Sequence, residues 1–96
     1  MEVSRVFEQL VKIGFSSKRS GTLYIAEAVV YIYENNSSLV LEESVYQYLA
    51  QKYSKKKITI RSNMITCCRI VSENIGKRIT TKFIIKYLLH YNSKKK

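Results

Sequence analysis

The stretch KKKITIRSNMITCCRI, residues 55–70, puts three lysines, a threonine-flanked turn and two adjacent cysteines into one run, and the spacing of its apolar residues decides the fold. On a wheel at about 100° per residue, Ile60, Met64, Cys67, Val71 and Ile75 fall in one narrow sector, with Cys68 at its edge. That spacing predicts a helix with Cys67 on its core face, N-capped by Thr59 and running to about Asn74, with Gly76 as its stop. Adjacent helical residues diverge by about 100°, so the two thiols point apart and cannot pair without breaking the helix. Cys67, Cys68 and His90 do not make four zinc ligands without carboxylates that the sequence does not place nearby, so neither a metal nor a cofactor is expected. Cys68 is left as a candidate thiol sensor, a role that requires exposure and a basic neighbourhood.

The same helical spacing recurs on both sides of this stretch. Val3, Val6, Phe7, Leu10 and Val11 predict a first helix over about Glu2–Ile13, stopped by Gly14. After FSSKRSG, residues 15–21, the apolar segment Thr22–Glu34 reads as the central buried helix. Beyond Asn35-Asn36-Ser37-Ser38, the stripe Leu41, Val45, Leu49 and Tyr53 predicts a third helix, closed by a basic turn over Ser54–Lys57. A last helix over about Thr80–Tyr91 should face Phe83, Ile84, Tyr87 and Leu88 inward, with residues 92–96 as a disordered basic tail. With no proline and three glycines, the chain reads as one all-α domain over residues 1–96, a compact bundle of about five to six helices. Residues 42–74 within it read as a helix-turn-helix.

Charge narrows the function. Residues 1–48 carry four Lys/Arg against six Glu, net −2, whereas residues 49–96 carry thirteen Lys/Arg against one Glu, net +12. Such a field attracts a polyanion, and nucleic acid is the expected partner ahead of an anionic membrane. The opening Met1-Glu2-Val3-Ser4-Arg5 is unlike a secretory signal, and the longest apolar run, Ala28 to Tyr33, is far short of a membrane span, so the expected location is cytoplasmic. There is no Asp, one His, and no nucleophile with a base at recognisable spacing, so no enzyme and no catalytic residue is expected.

On the wheel, the sector opposite Cys67 holds Ser62, Thr66, Arg69 and Glu73, flanked by Arg61, Asn63 and Ile65. These residue types suit a major groove: arginine pairs with guanine, asparagine with adenine, serine and threonine with bases or phosphates, and isoleucine with a thymine methyl. The expectation is a base-reading set of Ser62, Asn63, Thr66 and Arg69, with Lys55, Lys56, Lys57, Arg61, Lys77 and Arg78 on phosphates, where they add affinity without sequence information. A membrane-surface role for the basic amphipathic segment 82–96 is the weaker alternative, because its apolar residues suit a core.

The run IGFSSKRSGTLYIAEAVVYIY, residues 13–33, resembles the C-terminal DNA-binding domain of the response regulator that initiates sporulation in endospore-forming Firmicutes. The similarity rests on Ile13, Gly14, Gly21, Leu23, Tyr24, Ile25, Glu27, Ala28, Val29 and Tyr33. It continues into VYQYLAQKY through Tyr46, Leu49, Ala50, Lys52 and Tyr53, with Gln47 where the family usually has proline. In the next helix Ser62 and Arg69 fall on the family's serine and final arginine, and Met64, Cys67 and Cys68 on its apolar positions, whereas Asn63, Ile65 and Thr66 replace Arg, Glu and Arg. The turn at Lys55–Lys57 is longer than the family's and the loop Gly76–Ile79 shorter. The resemblance implies a sequence-specific regulator of transcription that binds double-stranded DNA as a monomer or homodimer, without the receiver domain that normally precedes this domain. It would act alone or compete with a full-length regulator. The alternative is a protein-interaction module of the same fold that acts on RNA polymerase or on such a regulator.

Overall fold

One helix organises the whole molecule. The structure, a computed structural model, describes residues 1–35 and 43–93, and these form five helices: α1 (Val3–Ile13), α2 (Ser20–Glu34), α3 (Glu43–Tyr53), α4 (Lys57–Ile75) and α5 (Thr81–Ser93). No strand occurs among the described residues. α2 packs against each of the other four. A helix covered on several sides has no polar stripe to spare, and Tyr24, Ile25, Ala26, Ala28, Val29, Val30 and Ile32 are all buried. The fold is thus the expected all-α bundle, with α3 and α4 joined by three residues into a helix-turn-helix.

Two backbone features set how these helices meet. α1 ends where Gly14 takes a φ of 129°, and the amide of Phe15 donates back to the Leu10 carbonyl at 3.0 Å, so that Phe15 turns under the bundle and is buried. At Gly21 the first turn of α2 lies directly on α4, and a Cβ placed there would come within 2.2 Å of the Asn63 carbonyl oxygen and 2.6 Å of the Cys67 sulfur. Only a residue without a side chain permits that approach.

The core face of α4 comprises Ile60, Met64, Cys67, Cys68 and Val71. Several sequence expectations need correction. Thr59 does not cap α4; the helix begins two residues earlier, with Lys56 as N-cap and no side-chain hydrogen bond there, its first residue Lys57 ion-paired with Glu43 of α3. Ile75 is 44 % exposed, because α4 outruns the core in its last turn before Gly76. Ile84 and Leu88 face inward as expected, but Phe83 and Tyr87 are 53 % and 47 % exposed, since the packed face of α5 extends to the Ile85 side instead. Asn92 and Ser93 are helical rather than tail, because the Asn92 amide exchanges hydrogen bonds of 2.9 and 3.0 Å with Gln9 of α1 and donates to the Leu88 carbonyl. Leu41, the Asn36–Ser38 connection and the lysines of the tail, 94–96, lie outside the described residues.

Candidate nucleic-acid interface

The turn that presents α4 is built from α3. Ser54 adopts a left-handed φ of 53°, and the Lys55 amide donates to the Ala50 carbonyl at 3.0 Å, closing α3 in the arrangement that glycine usually serves. Beneath the turn, the buried carboxylate of Glu27 accepts a hydrogen bond of 2.5 Å from the Tyr53 hydroxyl and pairs with Lys52 at 2.8 Å. Burial and the adjoining carboxylate both push the Tyr53 phenol well above its ordinary range, so it stays a donor. Tyr53 also packs against Tyr24, with ring centroids 5.1 Å apart, and Tyr31 stacks on Tyr48 at 4.4 Å. The C-terminal half of α3, and therefore the start of α4, is locked to α2.

The outward face of α4 carries Ile58, Arg61, Ser62, Ile65, Arg69 and Glu73, all exposed. Of the four residues expected to read bases, Ser62 and Arg69 lie on this face, whereas Asn63 and Thr66 are half-buried, the Asn63 backbone lying against Gly21 of α2. Of the expected phosphate contacts, Arg61, Lys77 and Arg78 line one open groove of about 650 Å³ between α4 and the start of α5, together with Arg69. Lys55, Lys56 and Lys57 are exposed at the opposite end of the face, Lys57 held by Glu43. Among the described residues, Lys55, Lys56, Arg61, Arg69, Lys77 and Arg78 make no ion pair. Their charge is therefore not neutralised locally and is available to an anion.

Ser72 fixes the far wall of the groove. Its hydroxyl accepts from the Ile79 amide at 2.7 Å and lies within hydrogen-bond distance of the Cys68 and Ile79 carbonyls, which pins the loop carrying Lys77 and Arg78 to α4. Thr80 then caps α5 by accepting from the Phe83 amide at 3.1 Å. Sequence reasoning passed over Ser72, since a lone serine near a helix end carries no pattern. It also passed over Lys18 and Arg19, both exposed just before Gly21 and so beside the half-buried edge of α4; their signal was a Lys-Arg pair immediately ahead of a helix start.

The cysteines belong to the packing. The Thr22 hydroxyl donates to the Cys67 sulfur at 3.8 Å, and the Cys68 sulfur lies 3.6 Å from the Thr81 hydroxyl, so one thiol faces α2 and its neighbour α5. Both are buried, and burial pushes the Cys68 thiol up, with the Thr81 hydroxyl pulling the other way. The exposure and low pKa that a thiol sensor needs are missing at Cys68. Among the described residues no three His, Cys or Glu side chains gather as metal ligands, and no helix is long and apolar enough to cross a membrane. No family model, curated protein or solved structure matches this chain.

Proposed function

We propose that the chain is a sequence-specific DNA-binding regulator of transcription that lays α4 in the major groove of a duplex. The observation that carries this reading is the outward face of α4, where Arg61, Ser62 and Arg69 stand exposed beside Lys77 and Arg78, with Lys55 and Lys56 at its leading end. Arg69 and Ser62 contact base edges; Lys55, Lys56, Lys77 and Arg78 contact phosphates, joined by Lys18 and Arg19 on the α2 side. Arg61, on the same face and in the basic groove, reaches either. Support for kinship with the sporulation regulator's effector domain comes from Tyr24, Glu27, Lys52 and Tyr53, residues of the resemblance that meet in one contact cluster under the turn. The chemistry required is binding alone, in the cytoplasm where the target DNA is.

The test is a selection of preferred sites from random duplexes, followed by titration of wild type and Arg69→Ala against preferred and random DNA at fixed salt. Arg69→Ala should lose about 1–3 kcal/mol on the preferred site and almost nothing on random DNA. Equal loss on both would make Arg69 a phosphate contact. The second reading, a protein-interaction module acting on RNA polymerase or a full-length regulator, is favoured by one feature. Phe83, Tyr87 and the partly exposed Tyr91 form a stacked ladder along α5, with centroids 6.5 and 6.1 Å apart. No preferred duplex in the selection would support that reading instead.

A further inference from the structure

Two isoleucines stand where the polar face of α4 gives them no packing reason to be. Ile58 is 71 % exposed and Ile65 49 %, while the core side of the same helix is filled by Ile60, Met64, Cys67 and Val71. A single exposed apolar residue needs no explanation. Here, however, Ile58, Ser62, Ile65 and Arg69 follow one another at steps of four, three and four, so they form a single stripe, apolar and polar in turn, along the middle of the outward face. Ile58 sits in the first turn of α4, the part of a recognition helix that reaches base edges, and that turn is held to α3 by the Lys57–Glu43 pair.

An isoleucine side chain has no donor or acceptor, so against a major-groove edge it can gain only by covering apolar surface. Among the four bases, the 5-methyl of thymine is the apolar group on that edge; the others present donors and acceptors that an isoleucine would strip of water without replacement. Seven residues at about 1.5 Å rise separate Ile58 from Ile65 by about 10 Å along the helix, roughly two to three base pairs of a duplex followed along its groove. Resting on the DNA-binding reading above, we infer that Ile58 and Ile65 read two thymine methyl groups roughly two to three base pairs apart, making the preferred site one that requires thymine at both positions. Ser62 then addresses the base pairs between them, and Arg69 lies one turn beyond Ile65.

Deoxyuridine differs from thymidine only in lacking this methyl, which isolates the contact. Each thymine of the selected site is replaced in turn by deoxyuridine, and wild type, Ile58→Ala and Ile65→Ala are titrated against the series at fixed salt. Two thymines at the stated spacing should each lose affinity by roughly fourfold on replacement, the worth of one buried methyl group. The loss at one should vanish in Ile58→Ala and at the other in Ile65→Ala. Both side chains are exposed, so the variants keep the fold, as their thermal unfolding checks. A preferred site that tolerates every replacement, or the same losses in both alanine variants, overturns the methyl readout while leaving DNA binding intact. No preferred site at all overturns both.

Discussion

A single dihedral angle sets the join between α3 and α4. Ser54 holds a φ of 53°, where a side chain with a Cβ is strained and glycine is not. Ser54→Gly should therefore stabilise the protein by about 0.5–1 kcal/mol, less the entropy glycine adds to the unfolded chain, read as a higher urea midpoint at unchanged slope. Its neighbour Tyr53 gives a pH signature. The folded-state pKa of Tyr53 is raised above the unfolded one, so its stabilisation is complete below about pH 10 and lost as pH climbs beyond, where the unfolded chain has released a proton the folded chain still holds. Lys52, raised by its hydrogen bond to Glu27, and Tyr46, raised by burial, act in the same direction. Tyr53→Phe should thus lower stability by about 1–3 kcal/mol near neutrality, from the lost bond to a buried carboxylate, and make the decline between about pH 9 and pH 11 shallower without abolishing it. A slope as steep in the variant as in wild type would place the alkaline sensitivity elsewhere. Neither feature was legible beforehand: a left-handed serine has no sequence signature, and Glu27 reads as one more polar residue in an apolar helix until Tyr53 is seen beside it.

At the scale of the elements, what the sequence revealed was periodicity, and what it concealed was which flank of a stripe meets a neighbour. α2 was legible because an apolar helix with few polar positions can only be central. α5 was misread at Phe83 and Tyr87 because its apolar residues cover more than half of the wheel, and only α1, α2 and α4 choose the packed side. The same limit applied to Asn63 and Thr66. Their wheel positions are outward, but the close seating of α2 at Gly21 covers that edge of α4, leaving Ser62, Ile65 and Arg69 as the free line. The turn lysines can now be separated too. Lys57 has a structural partner in Glu43, so Lys55→Ala with Lys56→Ala is the cleaner probe of phosphate contact. That double variant should weaken preferred and random duplexes alike and reduce the slope of log affinity against log salt by about 1.8, close to 0.9 for each phosphate released. An unchanged slope would remove the turn from the interface.

Across the whole molecule, the chain closes on itself through Gln9 and Asn92, residues 83 positions apart that trade amide hydrogen bonds. The radius of gyration of 12.3 Å matches the roughly 12 Å expected of a compact chain of this length. Asn92→Ala should cost about 1–2 kcal/mol and speed amide exchange in the last turn of α5, while α4 keeps its protection. Equal deprotection of both helices would mean that the clamp supports the entire bundle. Long-range polar pairing of this kind is invisible in one sequence, where Asn92 looks like the first residue of a lysine-rich tail. Met1, Arg5, Tyr33 and Asn92 line one small cavity, so the N-terminal residue and the last turn of α5 are neighbours. A short peptide bridge between residues 93 and 1 would turn the bundle into a ring with little change to its helices, and new ends opened at an exposed site elsewhere would give a circular permutant in which α1 and α5 become consecutive hairpin partners.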